Sequence, residues 1–157
     1  MRRVVVTGLG LLTSIGNDVN NTWDNLISCK SGIRKITTFD ISDLPCKIAG
    51  SINENPNEEN SINLLSIFEN KELKRNDRFI IYGLAAAKEA IKDSGIDKLN
   101  DEQKIRTGVS VGSGIGGLET IYQNSTILNN QGPRRISPFF VPASLINLLS
   151  GQISIKY

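Results

Sequence analysis

Between Gly112 and Pro142 the chain reads GSGIGGLETIYQNSTILNNQGPRRISPFFVP, and this stretch limits the fold more than any other. Glycines at 112, 114, 116 and 117 let a backbone turn sharply and let neighbouring elements approach closely. The turn closes Thr107–Ser113, whose small and β-branched residues suit a strand in a crowded interior, and leads into a helix. A phosphate cradle would use the same geometry, but no Lys-Ser/Thr pair follows to complete a P-loop. At the far end a Gly132-Pro133 turn carries the adjacent Arg134 and Arg135. Phe139 and Phe140 then stand between Pro138 and Pro142. On composition alone the two arginines are a solvated surface, and the two phenylalanines are core aromatics at a loop.

The rest of the chain supplies the elements this turn must join. Arg3–Thr7 is apolar on both faces, the pattern of a strand covered on two sides. A turn-rich stretch follows, with Gly8, Gly10 and Gly16. From Asn17 or Asp18, either one a suitable N-cap, the residues Val19, Trp23, Leu26 and Ile27 recur at helical spacing. Ser31-Gly32 predicts the stop of that helix near Lys30. Lys47–Ile52 reads as a further strand, and Asn53–Asn60 as a polar, mobile loop with little to bury. Arg78–Ser94 is the clearest helix, with Ile80, Leu84, Ala87 and Ile91 on one face and Lys88, Glu89, Lys92 and Asp93 on the other. Gly95 ends it. Its small residues Gly83, Ala85, Ala86 and Ala90 allow a close neighbour. Strand, helix, strand, long helix, strand, glycine turn, helix is an α/β order with right-handed crossovers.

Composition excludes several function classes. A chain of 157 residues and net charge +2 is large enough for a core but not basic enough to argue for nucleic acid. No apolar run approaches the ~20 residues of a membrane span. The start, Met1-Arg2-Arg3-Val4-Val5-Val6, is basic and then apolar, but Thr7-Gly8 breaks it and no small-residue cleavage site follows. A cytoplasmic location is therefore expected. Cys29 and Cys46 form neither a disulfide framework nor a metal-binding spacing. With no histidine anywhere in the chain to activate them, both read as incidental small residues. Val4–Gly16 invites comparison with a dinucleotide fingerprint, but the spacing fails: Thr13 stands where glycine or alanine is needed. Leu12 likewise stands where the TGxxxGxG variant needs glycine.

The Gly112–Gly117 turn and the Gly132–Pro142 segment, with RRVVVTGLG, Gly16-Asn17, the Trp23 helix and Lys30-Ser31-Gly32-Ile33, resemble the β-ketoacyl-acyl-carrier-protein synthases. Phe39-Asp40, the Asp77-containing helix start and Asp93-Ser94-Gly95 extend the likeness over nearly the whole chain, with the Asn53–Phe68 region departing most. These are the thiolase-fold condensing enzymes of fatty acid synthesis, and the closest resemblance is to the type II elongating enzyme. The resemblance implies an α/β thiolase-like fold, layered αβαβα, of which residues 1–157 would be the N-terminal part. It implies that Ile115 lines the acyl-chain pocket and gates its length. Phe140, with Val141, would reach toward the neighbour's pocket at a homodimer interface. It also implies that Arg134 and Arg135, with Lys71, Lys74 and Arg75 of the KELKR run, dock an acidic acyl carrier protein bearing phosphopantetheine-linked acyl and malonyl groups.

In that family a thiolate at a helix N-terminus takes the acyl group as a thioester. Malonyl-carrier protein then loses carbon dioxide, two histidines and an oxyanion hole stabilise the enolate, and the carbanion attacks the thioester. No metal or redox cofactor enters. The nucleophilic cysteine, the histidines and the lysine come after a stretch matching Gly151–Tyr157, so no catalytic residue is assigned here. The expectation is a chain truncated before its nucleophile and inactive alone. The Leu- and Ile-rich Val141–Tyr157 fits this, since an apolar segment there must pack on something, and the rest of a larger domain is the simplest candidate. The rival readings are a non-catalytic chain-length-factor-like partner and an independent nucleotide-binding α/β domain.

Overall fold

A computed structural model of the chain describes residues 2–157. Its organising element is α3 (Arg78–Ser94), with the bounds its apolar spacing predicts. Ile80 and Ile81 are fully buried and Leu84 nearly so. Burial of each such side chain is worth about 1.5–3 kcal/mol. Asp77 caps the helix and Gly95, at φ +70°, ends it. The remaining helices are α1 (Val19–Ile27), α2 (Asn70–Arg75), α4 (Asp101–Ile105), α5 (Leu118–Gln131), α6 (Phe140–Ser144) and α7 (Asn147–Lys156). The described residues form one sheet, the antiparallel pair β1 (Arg34–Lys35) and β2 (Ile48–Ala49).

The core forms where α7 crosses α3. Leu149 and Ile153 of α7 join Ile80, Ile81, Leu84 and the segment carrying Ile62, Leu64 and Phe68. Leu149 sits directly over Gly83. Leu149 and Ile153 of the apolar stretch expected to await the rest of a larger domain thus have cover inside this chain, on α3, whereas Val141, Leu145, Ile146 and Ile155 of the same stretch are exposed. Gly151 lies within α7, and Lys156 closes the contact with an ion pair to Glu72 at 3.3 Å.

A second face of α3 receives the N-terminal segment, and here the small residues matter. Gly8 lies against Ala90 and Gly10 against the Ala86 carbonyl. The amide of Leu9 donates to Asp93 Oδ2, and that of Leu11 to Glu89 Oε2, both at 2.9 Å. Glu89 Oε1 accepts from Val19 at the start of α1, also at 2.9 Å. The polar face of α3 is thus in part a row of carboxylates that clip a loop in place. That arrangement also tells against a pyrophosphate there, because the loop's amides are already given to anions.

Three strand expectations are corrected. Residues 3–7 and 107–113 have no ladder partner among the described residues, and Val4 is 92% exposed. Lys47–Ile52 contributes only Ile48–Ala49. A strand covered on two sides needs neighbours distant in sequence, and periodicity does not supply them. Two further readings change. Asn53 is buried and organises its loop by bonding Glu58 and the amide of Asn55. In α1 the apolar Trp23, Leu26 and Ile27 are exposed, and Thr22 and Asn25 are buried.

The stop of α1 also falls earlier than Lys30. The Cys29 amide bonds the Leu26 carbonyl and the Lys30 amide the Asn25 carbonyl, a Schellman pair. Cys29 occupies the left-handed position at φ +53°, a conformation that costs a side-chain-bearing residue about 1–2 kcal/mol. Cys29→Gly is expected to raise stability by about 0.5–1 kcal/mol, the strain relieved less glycine's extra entropy. Urea unfolding followed by helical circular dichroism checks this; a lower midpoint would contradict it.

Candidate functional site

The KELKR run folds as α2 because bonds between Glu69 and Glu72 fix its start. The Glu72 amide donates to the Glu69 carbonyl at 2.9 Å, and Glu72 Oε2 reaches back to accept from the Glu69 amide at 3.0 Å. That amide bond, with Lys156 adding to it, holds the Glu72 carboxyl below the ordinary carboxylate range against the opposing effect of burial. Lys71, Lys74 and Arg75 are exposed, and the last two stand at the helix C-terminus, where cations are favoured. Arg75 lies over the Phe139 ring, its guanidinium carbon 4.7 Å from the ring centroid. Asn70, Lys71, Lys74, Arg75 and Phe139 line an open concavity of about 450 Å³.

The arginine segment hangs from α5. Pro133–Arg135 form a single 3-10 turn at its end, with Arg134 and Arg135 exposed. Beyond it, the Ser137 amide donates to Asn124 Oδ1 at 3.0 Å, and Asn124 Nδ2 donates to the Thr120 carbonyl at 2.9 Å. Asn124 is buried, so it serves as the hook for this loop. The Thr120 amide donates to Asp77 Oδ2 at 2.9 Å while the Phe79 amide donates to Asp77 Oδ1 at 3.3 Å. One buried carboxylate therefore caps α3 and α5 together. Sequence reading found Asp77 only as a helix start and missed Asn124; a buried amide on a polar helix face has no local signature.

The glycine turn meets the aromatic segment by backbone contact. The Gly117 amide donates to the Ser144 carbonyl at 3.1 Å. A Cβ at Gly117 would meet the Ala143 carbonyl at 2.6 Å, and Gly116, at φ +79°, faces Ser144 and Ile146 as closely. At Gly112 and Gly114 a Cβ would meet nothing. The structure thus ties the turn carrying Ile115 to α6, which opens with Phe140 and Val141. Ile115 and Val141 are exposed, Phe140 is partly buried, and none of the three lines the α2 concavity or the larger hollow between residues 31–58 and the starts of α3 and α5.

The second concavity, about 1900 Å³, lies between residues 31–58 and the starts of α3 and α5. Tyr82 donates there to Glu54, which also pairs with Arg78 at 3.2 Å. Burial first, and the Glu54 carboxylate second, push the Tyr82 phenol far above its ordinary range. It is a fixed donor and not a base. Among the described residues no cluster of histidine, cysteine, aspartate or glutamate could hold a metal ion, and no helix is long and apolar enough to cross a membrane. Cys29 and Cys46 are both free and exposed.

Against known proteins, the family model described as beta-ketoacyl synthase, N-terminal domain, matches residues 1–157. The chain is 45% identical over 157 residues to 3-oxoacyl-[acyl-carrier-protein] synthase 2 of Rhizobium meliloti (strain 1021), covering all of this chain and 37% of that protein. It is 45% identical over 154 residues to the protein of the same name from Staphylococcus aureus (strain N315), covering 98% and 35%. The chain thus spans little more than a third of the curated relatives it matches. Its fold superposes on the ishigamide ketosynthase/chain length factor with TM-score 0.75 at 26% identity, covering 98% of this chain and 36% of that one. It also superposes on a type II PKS acyl-carrier protein in complex with its ketosynthase bound to the hexaketide, with TM-score 0.70 at 26% identity, covering 100% and 39%. The chain belongs to the beta-ketoacyl synthase family, matching the model of that family's N-terminal domain, and its fold is the thiolase-like α/β fold of the ketosynthases.

Proposed function

We propose that these residues are the part of a 3-oxoacyl-acyl-carrier-protein synthase that receives the carrier protein and walls the acyl chain. The whole protein would extend acyl groups by two carbons through decarboxylative Claisen condensation with malonyl-carrier protein. The observation that carries this reading is identity of 45% along the entire chain with a synthase 2. Lys71, Lys74 and Arg75 around the α2 concavity, with Arg134 and Arg135, supply guanidinium and ammonium donors for carboxylates of an acidic carrier. Ile115 and Phe140–Val141, joined through Gly117 and Ser144, would border the acyl pocket, and the aromatic segment would lie at the seam of a homodimer.

Chemistry would come from a cysteine, two histidines and a lysine outside residues 1–157. Cys29 and Cys46 have no histidine to activate them, because the chain contains none. Incubated with acyl- and malonyl-carrier proteins, the 157-residue chain is expected to form no β-ketoacyl product above a protein-free control. Product formation measured by mass spectrometry would contradict that.

The likeness to a ketosynthase/chain length factor supports a second reading, a non-catalytic partner that sets product length. Adding the chain to a complete ketosynthase distinguishes the two. A changed product length favours the partner, and unchanged product favours the docking portion.

A further inference from the structure

Arg75 is exposed like Lys71 and Lys74, but of the three cations it is the one that lies over an aromatic ring. Its guanidinium carbon sits 4.7 Å from the Phe139 centroid, and it makes no hydrogen bond or ion pair among the described residues. Stacking on a ring engages the face of a guanidinium and leaves its in-plane N–H groups free for a carboxylate. The ring it touches is held on a closed circuit. Phe139 donates its amide to Ser137 Oγ at 3.2 Å, and Ser137 donates to Asn124. Asn124 bonds Thr120, and Thr120 donates to Asp77, two residues beyond Arg75. Only the Arg75–Phe139 link in this circuit is open to solvent and charged. The peptide after Phe139 begins α6, with Phe140 and Val141 in its first turn.

We propose that Arg75 is a positioning residue that couples an acidic protein bound at the Lys71–Arg75 concavity to the placement of the Phe139–Val141 segment. A carboxylate drawn to the free N–H edges of Arg75 reorients the guanidinium plane and with it the ring beneath. Lys71 and Lys74 share the concavity and attract the same partner, but of the three cations Arg75 is the one that stacks on the Phe139 ring. The inference rests on the carrier-docking reading above and adds that arrival of the carrier is felt at the acyl-pocket wall.

The test uses the whole 157-residue chain with 4-fluorophenylalanine at position 139, titrated with a bacterial apo acyl-carrier protein and followed by fluorine NMR alongside a binding isotherm. Saturating carrier is expected to shift the resonance of the labelled chain. Lys71→Ala should bind about threefold more weakly yet give the full shift at saturation. Arg75→Lys keeps the charge but loses the planar stack, and at saturation it should give less than half the shift. Binding without any shift, or an equal shift in Arg75→Lys, overturns the coupling and leaves the docking reading intact. No binding isotherm at all overturns the docking reading, and the coupling falls with it. A structural role alone would alter stability in Arg75→Lys without separating affinity from the saturated shift.

Discussion

Asp77→Ala is expected to lower the unfolding free energy by about 3 kcal/mol, because a single side chain is the acceptor for the first turns of two helices. Losing an N-cap costs about 1 kcal/mol, up to 2. A buried amide left without a partner costs a further 1–3 kcal/mol. Asp77 is 7% exposed, so water does not readily replace it at the Thr120 amide. In a chain of this size the change corresponds to a midpoint roughly 6–12 °C lower in thermal unfolding. Asp77→Asn keeps one carbonyl oxygen and should lose about half as much. An exposed cap would show a loss under about 1 kcal/mol, and that result for Asp77→Ala would contradict the shared-cap geometry. The effect should also reach residues 133–140, since Thr120 carries Asn124 and Asn124 carries Ser137.

Gly10→Ala is expected to be at least as damaging, about 3 kcal/mol or more, although it adds one methyl group. That carbon would lie 2.0 Å from the Ala86 carbonyl oxygen and 2.7 Å from the Ala90 amide nitrogen. Both are backbone atoms inside α3, so neither can swing aside, and the segment must lift. Lifting breaks the bonds from Leu9 to Asp93 and from Leu11 to Glu89, and hydrogen bonds to charged groups are worth about 1.5–3 kcal/mol each. Gly112→Ala is the matched control, since its new carbon meets nothing within 4 Å; a change within about 0.5 kcal/mol is expected. Urea denaturation of the two variants side by side decides the matter, and equal midpoints would show that the N-terminal segment does not sit on α3.

These two sites mark the limit of what the sequence discloses. Helix α3 is legible to its last residue because Ile80, Leu84, Ala87, Ile91 and Gly95 all act within a few residues of one another. Its small residues Ala86 and Ala90 also announce a close neighbour, though not that the neighbour is Gly8–Gly10. The roles of Glu89 and Asp93 are hidden because each accepts an amide from 70 to 84 residues away, and on a helix wheel they look solvated. The end of α1 falls short of Lys30 without a sequence signal because the left-handed position holds Cys29, where glycine would mark it. Extended segments 3–7 and 107–113 carry strand-forming residues, but a ladder is a property of pairs and propensity describes one member.

At the candidate site the basic residues are readable, being charged and local. Lys71, Lys74 and Arg75 fall on one short helix, and Arg134 and Arg135 on one turn. What the sequence does not reveal is that Phe139 comes to rest under Arg75, because that meeting depends on Asp77 and Asn124 holding α5 and its trailing loop in place. Family membership, by contrast, is carried by the glycine turn and the Gly132–Pro142 segment, and the match over all 157 residues agrees with it.

The central claim, that this domain presents a docking face for an acidic carrier, is tested most directly by titrating fluorescently labelled apo acyl-carrier protein with the chain and with its Lys71→Glu, Lys74→Glu, Arg134→Glu triple variant. Saturable binding that weakens as salt rises, and that falls by at least about tenfold in the triple variant, is the predicted result. Equal affinity for both proteins would contradict the account.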